Sequence, residues 1–231
     1  MFHNKKVVIF GKLSQLDYSN LEFLKTRGAM FGLDARIALA IFGALSVITG
    51  AALYSAISNA KAMALLVDIQ EVGKAWESYY VDTGVNLPRQ DMVDDTSNAF
   101  YDYLNSNLVS NIANVDGWKG PYLNYKLDGA VHLRNSQYNN SNIMMILVTN
   151  EETWGGSKGD WTAGKCTAGK KCFVTIYFSG ITDNESVLKK IDAKVDGGDG
   201  IEKGKFRWYF FDPLSTYWAF LMYSPIANPN D

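Results

Sequence analysis

The chain of 231 residues is poor in the residues that build metal and redox sites: it has two cysteines and two histidines. That excludes a Cys/His zinc site and a disulfide-dense scaffold. No charge of one sign dominates. The formal net charge is −2, so a general nucleic-acid binder, which needs a surplus of Lys and Arg, is excluded. Five prolines and 20 glycines without a triplet period exclude a collagen-like chain. A hydrophobic content of 47% excludes a disordered one. Enzyme signatures are missing too: no P-loop, dinucleotide-binding glycine motif, nucleophile elbow or H-E-x-x-H is present. His3 lies near the start and His132 stands alone, so no convergent set of titratable groups argues for catalysis. At roughly 150 residues per domain, the length allows one globular domain with extra segments.

What is present is concentrated at the N-terminus. Residues 37–57, IALAIFGALSVITGAALYSAI, carry no charge. At about 1.5 Å per residue such a helix spans the ~30 Å hydrocarbon core of a bilayer. Before it, Lys5, Lys6, Lys12, Lys25 and Arg27 outnumber Asp17 and Glu22 by three. The positive-inside rule keeps that end cytoplasmic and exports the rest. A secretory signal peptide fits poorly, because an h-region holds only 7–15 apolar residues.

The residues ahead of the span are Arg27-Gly28-Ala29-Met30-Phe31-Gly32-Leu33-Asp34-Ala35-Arg36. A carboxylate at the edge of a spanning helix is costly and usually has a partner. This arrangement resembles the type IV pilin family, which includes the pseudopilins of type II secretion. The resemblance implies a basic leader cut by a prepilin peptidase after Ala29, with Gly28 just behind, and a mature chain starting at an N-methylated Met30. It implies that Asp34, fifth from that start, neutralises the amine of a neighbouring subunit. A buried ammonium otherwise keeps an uncompensated desolvation cost. Nearly 30 leader residues and a start at Met resemble the long-leader, type IVb-like branch. Gly43 and Gly50, seven apart, would let helices of neighbouring subunits approach closely.

Beyond the span, Ala62, Leu65, Leu66, Ile69, Val72, Gly73, Trp76, Tyr79 and Tyr80 recur at three- and four-residue steps. They predict an amphipathic helix continuous with the span, since no proline lies between 36 and 87. The helix is expected to cover about 45 residues, roughly 65–70 Å. Thr83-Gly84 is expected to end it, with Pro88 soon after. The segment from Trp76 to Pro88 again resembles the pilin and pseudopilin pattern. So does Trp118-Lys119-Gly120-Pro121-Tyr122-Leu123, and the last turn is also marked by its own Gly-Pro pair.

The remainder predicts an α+β head. A short helix is expected over 99–108, strands over 143–148, 173–178, 206–211 and 217–223, and a helix over 182–195. The last two strands should form a hairpin across Asp212-Pro213-Leu214-Ser215. The resemblance implies a three- or four-stranded antiparallel sheet lying across the helix, the pilin-like lollipop. Cys166 and Cys172 fall on the oxidising side and are expected to form a disulfide worth about 2 kcal/mol. Trp154 and Trp161 either form a contact surface or fold back onto the sheet. Asp192, Asp196, Asp199 and Glu202 offer hard oxygen ligands for a structural calcium, or else form a solvated Asp-Gly turn.

The organisation expected is a cleaved leader (1–29), a membrane and filament-core half of the helix (30–58), an amphipathic half (59–88) and an exported head (89–231). The function expected is that of a non-enzymatic structural subunit of a type IV pilus-like filament. It would sit in the inner membrane as a single-pass precursor and then in an extracellular or periplasmic filament. Its partners would be other pilin-like subunits, the prepilin peptidase and an inner-membrane assembly platform. The alternatives are a type II secretion pseudopilin and a membrane-anchored periplasmic binding domain that does not assemble.

Overall fold

The computed structural model describes residues 19–89, 103–135, 143–155, 161, 166–182, 185–228 and 231. Most of the basic leader and the first part of the helix expected over 99–108 lie outside the described residues. The first element among the described residues is one long helix, α1 (Ser19–Thr83). Among the described residues six strands follow: β1 (Lys126–Asp128), β2 (His132–Arg134), β3 (Ile143–Asn150), β4 (Cys172–Ile181), β5 (Phe206–Phe211) and β6 (Thr216–Ile226). Helix α2 (Glu151–Gly155) follows β3, and helix α3 (Glu185–Val195) follows β4. Two compact units divide between Tyr54 and Ser55.

In the first unit, residues 32–54 of α1 are exposed on every side. Leu39, Phe42, Val47 and Ile48 are among the large apolar side chains so left bare. A helix apolar all round belongs in a bilayer or a protein core. Among the described residues, α1 is the one helix long and apolar enough to cross a membrane. Its hydroxyls turn inward: Ser46 Oγ donates to Phe42 O at 2.7 Å and Thr49 Oγ1 to Leu45 O at 2.8 Å. The helix starts at Ser19, well before the periodic pattern. Leu21, Glu22, Leu24 and Lys25 are good helix formers and nothing there breaks the turn.

In the second unit the strands form one antiparallel sheet in the order β1-β2-β3-β4-β6-β5. Residues Ala62, Leu65, Leu66, Ile69, Val72, Trp76 and Tyr79 of α1 share a core with Ile146, Val174, Ile176, Trp208 and Leu221. This is the expected stripe. Burying each large side chain contributes about 1.5–3 kcal/mol. The ring of Tyr223 lies in the space that a side chain at Gly73 would take, which explains the glycine within the stripe.

The helix ends as expected: the Gly84 N–H closes on Tyr80 O at 2.9 Å. The turn at residues 118–123 packs on this end. Asp82 accepts from Lys119 Nζ at 3.1 Å and from the Tyr122 hydroxyl at 3.0 Å. These partners hold the Asp82 carboxyl below its ordinary range, Lys119 contributing most. Trp118 Nε1 donates to Asn107 O at 2.7 Å, and the Gly120-Pro121 bond is cis.

The sheet is wider than the three or four strands expected. Strands β1 and β2 have three residues each, with one apolar residue apiece, too short to show alternation. Among the described residues, strand β2 meets β3 at the register pair Leu133 with Met144. The side chain of Asn105 then continues the edge, accepting from Ile146 N at 2.8 Å and donating to Ile146 O at 3.4 Å. Asn105 sits in a 3-10 turn, Asn105–Leu108, the described remnant of the helix expected over 99–108. Helix α3 begins at Glu185 rather than at 182.

The far side of the sheet carries a second apolar cluster: Val131, Met145, Leu147, Tyr177 and Phe220, packed with Trp154 and Trp161. The indoles therefore fold back onto the sheet. The cause lies in the strands, where Met145 and Leu147 of β3, Tyr177 of β4 and Phe220 of β6 are large and apolar on this face too, so both faces need cover. Tyr209 borders this cluster, and burial raises its hydroxyl to about 12. Tyr223 is likewise raised to about 12, by burial first and then by the charge of Glu77. Both groups keep their proton longer folded than unfolded. The stability they contribute is complete below pH 10 and is lost between about pH 10 and 12. Thermal melts should fall steeply across that range, and the double variant Tyr209→Phe, Tyr223→Phe should flatten the fall.

Candidate functional site

The residues singled out in the sequence fall in three places. Gly28, Ala29 and Met30 lie within α1 in the first unit. Asp34 is exposed on the same helix, with no ion pair among the described residues. At Gly43 and Gly50 a Cβ would meet nothing within 4 Å, so none of the described residues fills the space these glycines leave.

Cys166 and Cys172 form a disulfide at the start of β4. The loop it closes is bound to the chain's last residues. Asn228 Nδ2 donates to Thr167 O at 2.8 Å and to Lys170 O at 3.1 Å, and Gly169 N donates to Asp231 Oδ1 at 2.7 Å. Lys170 also pairs with Glu152 of α2.

The third place is the loop between α3 and β5. Asp192 and Asp196 lie four apart, one turn along the helix and at its end. The glycine-rich loop brings Asp199 back to them. Carboxylate oxygens of the three lie within 4.8 Å of one another. Glu202, the fourth expected ligand, is exposed and stands outside this group.

Asp192 is 3% exposed. Its Oδ2 accepts from Gly200 N at 3.2 Å, while its Oδ1 is buried with no hydrogen-bond partner. Burial pushes this carboxyl above its ordinary value; the Gly200 N–H opposes the rise, and the charges of Asp199 and Asp196 add to it. Asp196 Oδ2 accepts from Lys205 N at 2.9 Å and Phe206 N at 2.6 Å, which fixes the entry to β5.

Three carboxylates this close repel, and a buried acceptor left without a donor costs about 1–3 kcal/mol. The C-terminal end of α3 adds its own negative partial charge. A hard cation answers all three terms, and ligand oxygens at 2.3–2.6 Å from calcium are compatible with this spacing.

One positive group lies near. Arg207 is buried, and its Nε donates to Gly204 O at 3.2 Å and a terminal nitrogen to Trp154 O. Its guanidinium carbon stands 4.6 Å from the Trp154 ring centroid and 5.2 Å from that of Trp161. Burial pulls its pKa down, and Asp199, Asp196 and Glu202 oppose that. No local pattern marks Arg207, because its partners are Trp154, 53 residues away, and Gly204, across a glycine turn.

Compared with protein-family models, with curated proteins and with solved structures, the chain matches none. The class that the fold defines is an α+β chain with a membrane-span-length apolar helix whose later residues pack on a small antiparallel sheet.

Proposed function

We propose that this chain is the precursor of a structural subunit of a type IV pilus-like filament. It enters the inner membrane with its N-terminus in the cytoplasm. A prepilin peptidase cuts after Ala29, the new Met30 amine is methylated, and an assembly platform moves the subunit into a polymer of pilin-like chains. One observation carries the reading: residues 32–53 are an apolar helix surface that the described residues leave exposed on every side, with a carboxylate, Asp34, at its edge. Lipid can cover such a surface before assembly and neighbouring helices after it. The chain acts by assembly, not by catalysis.

The N-terminal mass of the membrane-extracted protein from its native host tests this. The expected chain starts at N-methylated Met30. An intact leader overturns the reading in favour of a membrane-anchored binding domain. Cells lacking the secretion machinery would separate a pilus subunit, which still reaches the surface, from a secretion pseudopilin, which does not.

A second reading concerns the head. We propose that Asp192, Asp196 and Asp199 hold a divalent cation, calcium by the hardness of the donors. The buried, unpartnered Asp192 Oδ1 favours this over a solvated turn.

A further inference from the structure

Gly204 stands between the carboxylate group and the second apolar cluster, and it touches both. On one side, the place of a Cβ is taken by the Asp196 carboxylate at 2.6 Å and by Asp199 Oδ2 at 2.8 Å. Its φ of +64° suits glycine for a second reason. On the other side its carbonyl accepts from Trp154 Nε1 at 3.0 Å and from Arg207 Nε at 3.2 Å. The next two peptide N–H groups, of Lys205 and Phe206, are held by the same Asp196. Asp196 thus holds the peptides that follow Gly204, and the Gly204 carbonyl holds an indole and a guanidinium on the far face of the sheet.

Two charge states of the carboxylates pull differently on this link. With a cation between them, Asp196 and Asp199 draw together and the packing against Gly204 is kept. Without one, they repel each other and strain the packing against Gly204, whose carbonyl holds the Trp154 indole and the Arg207 guanidinium. A buried cation–π contact of this kind is strong enough to respond to such a pull.

We infer that cation occupancy at Asp192, Asp196 and Asp199 sets Gly204 and, through it, the Trp154–Arg207 contact on the second face of the sheet. The aromatic cover of that face is then calcium-responsive. The inference rests on the cation reading above and adds to it the element that the cation controls.

The test uses the full chain in detergent, stripped with EDTA and titrated with calcium chloride. Binding is read by calorimetry, and the environment of the indoles by tryptophan emission and acrylamide quenching. The expected result is saturable binding with a parallel blue shift and reduced quenching. Asp192→Asn and Asp196→Asn should weaken binding at least tenfold, in the range usual for loss of a metal-site residue. Glu202→Gln should leave binding and emission unchanged. Trp154→Phe should keep binding and remove the greater part of the emission change. Calcium binding without a Trp154-dependent change would overturn the coupling and leave the cation site standing. No binding by calorimetry would overturn the site and the coupling together.

Discussion

Replacing Asp34 with alanine is expected to abolish surface filaments while membrane insertion and the fold of the second unit stay unchanged. Asp34 is exposed at the edge of an apolar helix surface. A carboxylate within a spanning segment costs up to about 2.5–3.5 kcal/mol at the centre and less near the end. A lone anchor gains by losing it. A filament subunit loses the counter-charge for a neighbour's buried amine, and truncating one partner of such a pair costs about 3–5 kcal/mol. The two roles therefore predict opposite consequences from one substitution. Shearing cells and weighing the released filaments, beside the membrane-bound pool, reads both. Asp34→Glu should restore filaments. Undiminished filaments in Asp34→Ala would remove this residue from the assembly.

Gly117→Ala is expected to be the most damaging single substitution of a small residue in the second unit. Gly117 has φ +77°, and a Cβ there would lie 2.7 Å from the main-chain oxygen of Asp82. That oxygen belongs to the last turn of α1 and cannot rotate aside as a side chain can. Backbone strain of about 1–2 kcal/mol for the left-handed region adds to the displacement of the turn from the helix end, for a total of about 3 kcal/mol. In a unit of this size the melting temperature should drop by roughly 6–12 °C. Gly129→Ala separates the two terms. Its φ is +73° but a Cβ there meets nothing, so it should show the strain alone, about 1–2 kcal/mol. Equal losses in the two variants would mean that the contact with Asp82 contributes nothing.

The elements best legible in the sequence are those with long, regular patterns. The stripe from Ala62 to Tyr79 repeats often enough to fix both the helix and its buried face, and Gly84 marks its end. Strands β3 to β6 are rich in β-branched and aromatic residues and were expected within a few residues of their limits. Short elements were not legible. In β1 and β2 the charged residues Lys126, Asp128 and Arg134 read as loop, because their pairing partners lie in another strand. Asn105 reads as part of the short helix expected over 99–108; that its amide continues a strand edge 41 residues away is set by tertiary packing alone.

The acidic site was half legible for the same reason. Asp192 and Asp196 are one helical turn apart in any helix, and Asp199 follows through a glycine turn. Spacing alone also offered Glu202, which the loop carries to solvent. What converts three acids into a candidate site is the burial of Asp192 and its unpartnered oxygen, and neither has a sequence signal.

The inward-turned hydroxyls of Ser46 and Thr49 have a consequence for how the first unit can be recognised. With each already bonded to the carbonyl four residues back, that part of the helix offers no spare hydroxyl proton to a neighbour. In the proposed filament, discrimination among neighbours would then fall to relief: the notches at Gly43 and Gly50 and the bulk of Phe42, Leu45 and Ile48 around them. Such a surface tolerates sliding along its axis, because apolar shapes repeat. The charges at Asp34 and Arg36 are what can give it a fixed stop.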